Sequence, residues 1–254
     1  MNHLFSPRLP DLALTVYDSP IGHLTLAARG GALVGVWARG QRFFGCPVGV
    51  DEAVVDSLEP ASPQVASSDG TERVTQEDAA ALTAAASWLE QYFAGENPSP
   101  ARLHMTPEGT HFQKHVWEAM ARIPYGHTRT YSQIAAQLRE AGVAASPRAV
   151  GGAVGHNPLL IVRPCHRVVA ASHMGGYAAG AEAKTWLLEH EAATASLMKE
   201  GACASSLSES ARMIALAARE ACARVPKGPS ARGSSERPTR GTTTARSVSR
   251  TTQC

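Results

Sequence analysis

The sequence predicts a two-domain α/β protein, with a small α/β scaffold in front and a mainly helical unit behind it. Three observations carry that reading. Short apolar runs separated by turn residues fill the first 40 residues or so, as in an antiparallel meander. Helix start and stop signals follow one another closely from residue 108 onward. Between them lies Asn97-Pro-Ser-Pro-Ala101, a linker by composition. The expected organisation is a scaffold domain at 11–96, a linker at 97–104, a second domain at 105–192 and a basic, unordered tail at 195–254.

In the scaffold, Leu12–Tyr17, Leu24–Ala28 and Ala32–Trp37 read as strands, punctuated by Pro20–Gly22 and Arg29–Gly31. Residues 47–75 are rich in Pro, Ser, Asp and Glu with little periodicity, so a loop of low order is expected. Glu77–Ala94 reads as a helix, because Ala81, Ala85, Trp88, Leu89 and Tyr92 recur at helical spacing and Gly95 follows.

The second domain is punctuated by capping signals. Thr110-His-Phe-Gln113 fits a capping box, and Phe112, Val116, Ala119 and Ile123 then share one face until Pro124-Tyr-Gly126. Thr130-Tyr-Ser-Gln133 repeats the signal for a helix through Leu138, closed by Gly142. Ser146-Pro147 opens a short helix, Arg148–Val154, with an N-cap followed by proline in the first turn. Two short helices separated by a brief turn have helix-turn-helix spacing. Leu159–Val162 reads as an apolar strand and Ala181–Glu191 as a further helix. Beyond residue 195, Ser208–Arg224 has an Ala-rich helical composition. Residues 226–254 carry almost no large apolar side chain and are expected to stay unordered.

Composition narrows the function classes. The 254 residues are 44% hydrophobic and 18% charged, which excludes a wholly disordered chain or a fibre. No apolar run approaches the roughly 18 residues of a membrane span, so no membrane partner is expected. Met1–Pro10 has no apolar core of a secretory leader. The five cysteines are scattered, with neither a CxxC pair nor a Cys/His zinc pattern, so no metal site is expected. A cytoplasmic location, with free thiols, is the natural setting. The net charge of +2 hides an uneven division: −7 over residues 1–100, +3 over 101–194 and +6 over 195–254. A basic back half suits a polyanionic partner.

The densest reactive cluster is Pro164-Cys165-His166-Arg167. A thiol reacts as thiolate, and cationic or proton-accepting neighbours lower its pKa. Adjacency alone leaves a buried packing cysteine as the alternative, since neighbours in extended chain point to opposite faces. A cysteine hydrolase built on Cys, His and Glu is a further alternative, but nothing in the sequence speaks for its oxyanion hole.

The run Asn157-Pro-Leu-Leu-Ile-Val-Arg-Pro-Cys-His-Arg-Val-Val169 resembles the active-site signature of the methylated-DNA–protein-cysteine S-methyltransferases, the O6-alkylguanine-DNA alkyltransferases. The resemblance extends to Gly109–Gln113, Ile123–Gly126, Thr130–Ala135, Arg148–Ala153, Gly176-Tyr177 and Lys184–Glu191, in the family's order. Ser19-Pro-Ile-Gly22 and Leu89–Glu96 resemble its N-terminal domain. The resemblance implies a ribonuclease-H-like N-terminal domain and a winged-helix-like C-terminal domain carrying the helix-turn-helix. It implies irreversible, single-turnover transfer of an alkyl group from O6-alkylguanine, or O4-alkylthymine, in double-stranded DNA to the protein's own cysteine. No cofactor is required, and a monomer is expected.

By the same resemblance Cys165 is the nucleophile and His166 the base, acting through a bound water. Glu191 orients the histidine, and Asn157 braces the turn before the active site. Arg148 is the finger that fills the vacated base stack. Tyr131 contacts the flipped base and its phosphate, and the carbonyls of Cys165 and Val168 accept from the exocyclic amine. Tyr177 forms a pocket wall, and Ala178 offers its N–H to O6. Gly151, Gly152 and Ala153 let the recognition helix lie close to the minor groove. Two departures are expected to matter. Arg163 replaces an aliphatic residue and must reach solvent, a carboxylate or a phosphate. Ala179 is expected to narrow the pocket.

Overall fold

The computed structural model describes residues 12–56, 64–66 and 74–203. Strands β1 (Leu12–Ser19), β2 (Gly22–Arg29) and β3 (Ala32–Ala38) form the expected meander, joined by turns at the predicted positions. A fourth strand, β4 (Gln64–Ala66), pairs antiparallel with β1, giving the order β3-β2-β1-β4. β4 and the short helix α1 (Glu52–Val55) fall inside the segment expected to be a structureless loop. Neither is long enough to show a period in sequence, and β4 takes its order from pairing with β1.

The pleat divides the sheet's side chains between two apolar clusters. Ala13, Leu24, Leu26 and Ala28 face helix α2 (Gln76–Phe93), where Leu82, Ala85, Trp88 and Leu89 meet them. Leu12, Leu14, Ala27 and Trp37 face the other way, against Val48 and Val50. Gly35 is required here, since a Cβ would sit 1.9 Å from the Trp37 ring. Thr75 caps α2 by accepting from the Asp78 N–H, an interaction typically contributing about 1 kcal/mol.

The helical part follows its capping signals. α3 (His111–Ala121) and α4 (Tyr131–Glu140) each begin with a complete capping box, at Thr110/Gln113 and Thr130/Gln133. α5 (Pro147–Gly155) starts from Ser146, whose hydroxyl accepts from the Ala149 N–H. Trp117 Nε1 donates to the Ala153 carbonyl at 2.8 Å, fixing α3 against α5. A two-residue parallel ladder joins β5 (Arg129–Thr130) to β6 (Val168–Val169). α6 (Ala181–Cys203) continues past residue 195, where the sequence suggested an unordered tail would begin. Residues 204–254, including the Ala-rich stretch Ser208–Arg224, lie outside the described residues.

The edge of β3 joins the sheet to the second half of the chain. Leu33 N donates to the His104 carbonyl and Thr106 N to the Leu33 carbonyl. Further along, Val36 N donates to Pro158 O at 2.7 Å and Leu160 N to Val36 O at 3.0 Å. The sheet therefore positions the chain immediately upstream of Cys165. Among the described residues no helix is long and apolar enough to cross a membrane.

Candidate active site

The apolar run Leu159–Val162 is not the strand its composition suggested. It is a buried turn, closed by Arg163 N donating to Leu159 O at 2.9 Å, with Ile161 at φ 67°. A β-branched residue in the left-handed region costs on the order of 1–3 kcal/mol and persists only where its surroundings hold it. Asn157 does part of that holding. Its Nδ2 donates to Leu159 O (3.2 Å), Arg163 O (2.9 Å) and Cys165 Sγ (3.2 Å), and its Oδ1 accepts from Leu159 N. The turn leads into a single 3-10 turn, Cys165–Arg167.

Cys165 is a buried free thiol. Burial pushes its pKa up, opposed by the Asn157 hydrogen bond and the charge of Lys184. His166 is fully buried, and its Nε2 lies 2.7 Å from Glu191 Oε1. An ionised carboxylate at that distance assigns the proton to Nε2 and leaves Nδ1 as an acceptor. Nδ1 has no hydrogen-bond partner among the described residues. Burial lowers the His166 pKa against the opposing pull of Glu191, so the ring is neutral at pH 7.

Burial alone would raise the Glu191 pKa, but hydrogen bonds and charge from His166 and Arg167 outweigh it and hold it at about 2. Arg167 grips the carboxylate through Nε (2.8 Å to Oε2) and Nη2 (2.9 Å to Oε1). Gly126 N donates to Oε2 at 3.1 Å from a backbone at φ 72°, where a Cβ would lie 2.8 Å from Ala195. Tyr92 donates its hydroxyl to Oε1 at 2.7 Å.

Cys165 lines a cavity of about 290 Å3. Tyr131, Gly151, Gly152, Tyr177 and Ala178, all predicted from sequence, line it too. Tyr177 Oη is buried without a partner among the described residues. The remaining candidates lie elsewhere. Arg148 is exposed in the first turn of α5. Ala153 is buried, with its carbonyl on Trp117. Val168 is buried in the β5–β6 ladder, and its carbonyl already accepts from Lys184 Nζ at 2.6 Å. The Cys165 carbonyl likewise accepts from Val168 N. Ala179 is absent from the lining and faces a separate hollow with Ile21 and Arg39, contrary to its expected narrowing role. Arg163 is partly exposed, and its buried Nη1 has no hydrogen-bond partner among the described residues. Its guanidinium lies over the Trp117 ring at 5.5 Å, with the charge of Glu118 nearby.

Sequence reasoning missed several residues that the structure brings here. Lys184 is buried, bonded to the carbonyls of Val168 and Gly176, and burial lowers its pKa to about 8. Lys184, Leu187 and Glu191 stand at i, i+3 and i+7, so two charged residues on an inward helix face were available as a signal. Tyr92 sits on the apolar face of α2, and a buried tyrosine hydroxyl implies a partner. Arg42 and Phe43 line the cavity from the loop after β3, which no sequence pattern indicated.

Residues 111–193 match the family described as 6-O-methylguanine DNA methyltransferase, DNA binding domain. A Mycobacterium tuberculosis protein named methylated-DNA–protein-cysteine methyltransferase is 38% identical over 175 residues, covering 68% of this chain and 88% of its own length. The chain belongs to the methylated-DNA–protein-cysteine methyltransferases. An Acanthamoeba polyphaga mimivirus protein named as a probable member is 46% identical over 105 residues, 41% of this chain and 68% of its own. The solved structure of Mycobacterium tuberculosis OGT in complex with DNA aligns at TM-score 0.53 and 36% identity. That alignment covers 71% of this chain and 93% of the other. The architecture of this methyltransferase, a small antiparallel sheet combined with helices, agrees with those neighbours.

Proposed function

We propose that this methyltransferase repairs DNA by moving an alkyl group from O6-alkylguanine, and secondarily O4-alkylthymine, onto Cys165 in one irreversible turnover. One observation carries the assignment. A free thiol lines a cavity, and the next residue in the chain carries an imidazole whose Nε2 is tied to Glu191 and whose Nδ1 has no partner among the described residues.

In the proposed reaction the thiol proton passes to His166 Nδ1, directly or through a water. The resulting thiolate displaces guanine O6 at the alkyl carbon, so a C–S bond forms as the C–O bond breaks. The departing guanine takes up a proton at N1, so overall the thiol hydrogen replaces the alkyl group. Lys184 supplies a positive charge near the sulfur, and Asn157 donates to it. Glu191 stabilises the transient imidazolium. The thioether has no hydrolytic exit, so the protein is consumed. The paired elements α4 and α5 would dock a monomer on duplex DNA. Exposed Arg148 would enter the stack as the damaged nucleotide turns out to meet Tyr131 and Tyr177.

The test is the intact-protein mass after incubation with a duplex containing O6-methylguanine. The expected outcome is one adduct of about 14 Da on the peptide bearing Cys165, saturating at one equivalent. Cys165→Ala should give none. Continued turnover, as a hydrolase would show, or an adduct on Cys165→Ala would overturn the assignment.

A further inference from the structure

We propose that Phe43 is a specificity-determining wall of the Cys165 cavity, limiting the size of the O6 substituent that reaches the sulfur. The inference rests on Cys165 being the alkyl acceptor and adds a residue from the sheet-bearing half of the chain. Arg42 and Phe43 line the same cavity as Cys165, Tyr177 and Ala178.

Four features make Phe43 a wall rather than loose packing. Its neighbour Phe44 packs with the apolar cluster under the sheet, 5.9 Å from the Trp37 ring, whereas Phe43 belongs to neither sheet cluster. Its backbone sits at φ 63°, a strained value for a side-chain-bearing residue. Its ring stacks on His156 with centroids 3.8 Å apart and planes 24° off parallel. The Arg42 guanidinium lies 4.7 Å from the ring centroid.

The loop and the opposing ring are both anchored. Ala38 N donates to the Gln41 side chain at 2.8 Å, and Gly40 N donates to Glu52 at 2.5 Å. Within the loop, Phe44 N donates to Gln41 O and Cys46 N to Phe43 O. His156 Nδ1 is 2.8 Å from the Gly152 carbonyl, and His156 immediately precedes Asn157, which donates to Cys165 Sγ. A larger substituent pressing on Phe43 must therefore break an aromatic stack and deform an anchored loop. That resistance falls on bulky adducts and spares a methyl group.

The experiment uses the full-length chain and the free bases O6-methylguanine and O6-benzylguanine, which remove duplex contacts from the comparison. Phe43→Ala is expected to raise the benzyl-to-methyl rate ratio by about tenfold or more. His156→Ala, which removes the stack without touching the loop, should raise it in the same direction, and Phe43→Leu by less. An unchanged ratio in Phe43→Ala overturns the wall. Should that variant fail to fold, an unchanged ratio in His156→Ala overturns it instead. Absence of methyl transfer in the unaltered chain sinks the Cys165 assignment, whereas normal methyl transfer with an unchanged ratio sinks the wall alone.

Discussion

The two sides of the His166 ring are built on opposite terms. On the Nε2 side, Glu191 receives the imidazole, two guanidinium nitrogens of Arg167, the Gly126 amide and the Tyr92 hydroxyl. On the Nδ1 side the ring edge has no partner among the described residues, and neither has the nearby Tyr177 hydroxyl. One side is saturated so that tautomer and orientation are fixed. The other leaves an acceptor uncommitted, as the proposed proton transfer requires. A buried polar atom left unpaired costs free energy, and this one belongs to the residue that follows Cys165, whose thiol lines the cavity.

The comparison is broken most severely at Glu191. Glu191→Gln keeps the shape and removes the charge, leaving the largely buried Arg167 without its counter-ion. We expect a stability loss of about 3–5 kcal/mol in denaturant unfolding. Single-turnover alkyl transfer should fall by a factor on the order of 10^2 or more. The native carboxylate also links stability to pH. Its folded pKa of about 2 lies below the ordinary value of 4.5, so its stabilising contribution is present above 4.5 and fades as pH falls toward 2. The variant should lack that dependence. A Glu191→Gln protein as stable and as fast as the parent would show that the saturated side is dispensable.

Lys184 tests the reacting side. Its pKa of about 8 means that the ammonium is lost as pH rises through that value. The thiolate then loses its nearby cation, so the transfer rate should fall above about pH 8, below the range where the buried thiol ionises unaided. Lys184→Met should lower the neutral-pH rate by roughly tenfold and abolish the descending limb. A limb that persists near pH 8 in the variant assigns that titration to another group.

The same division explains what could be read in the sequence. The capping boxes at Thr110 and Thr130 are local, since each needs only residues three apart, and both appear as read. The helix-forming spacing of Ala85, Trp88 and Tyr92 is local as well. Leu159–Val162 misled because a short apolar run reads alike whether it is a buried strand or a buried turn, and only the Arg163 N bond to Leu159 O and the φ of 67° at Ile161 distinguish them. Cys165, His166, Asn157 and Glu191 were selected through resemblance to a family signature. Tyr92 and Phe43 come from the sheet-bearing half, and they meet the site through contacts 74 to 113 residues apart in the chain. No window of sequence contains such a contact.

Tyr92 gives the smallest and finest test. Its hydroxyl and His166 Nε2 share one oxygen of Glu191, so they compete for the same negative charge. Tyr92→Phe leaves the carboxylate with its other donors, so the expected stability loss is only about 1.5 kcal/mol. The freed charge strengthens the bond from Nε2–H and raises the imidazole pKa. A base must be neutral to accept the thiol proton, so the acid limb of the transfer rate should move to higher pH while the neutral-pH rate changes little. A purely structural tyrosine would lower stability and leave the limb in place. A shift of the limb therefore separates a positioning role, transmitted from α2 to the imidazole, from simple packing.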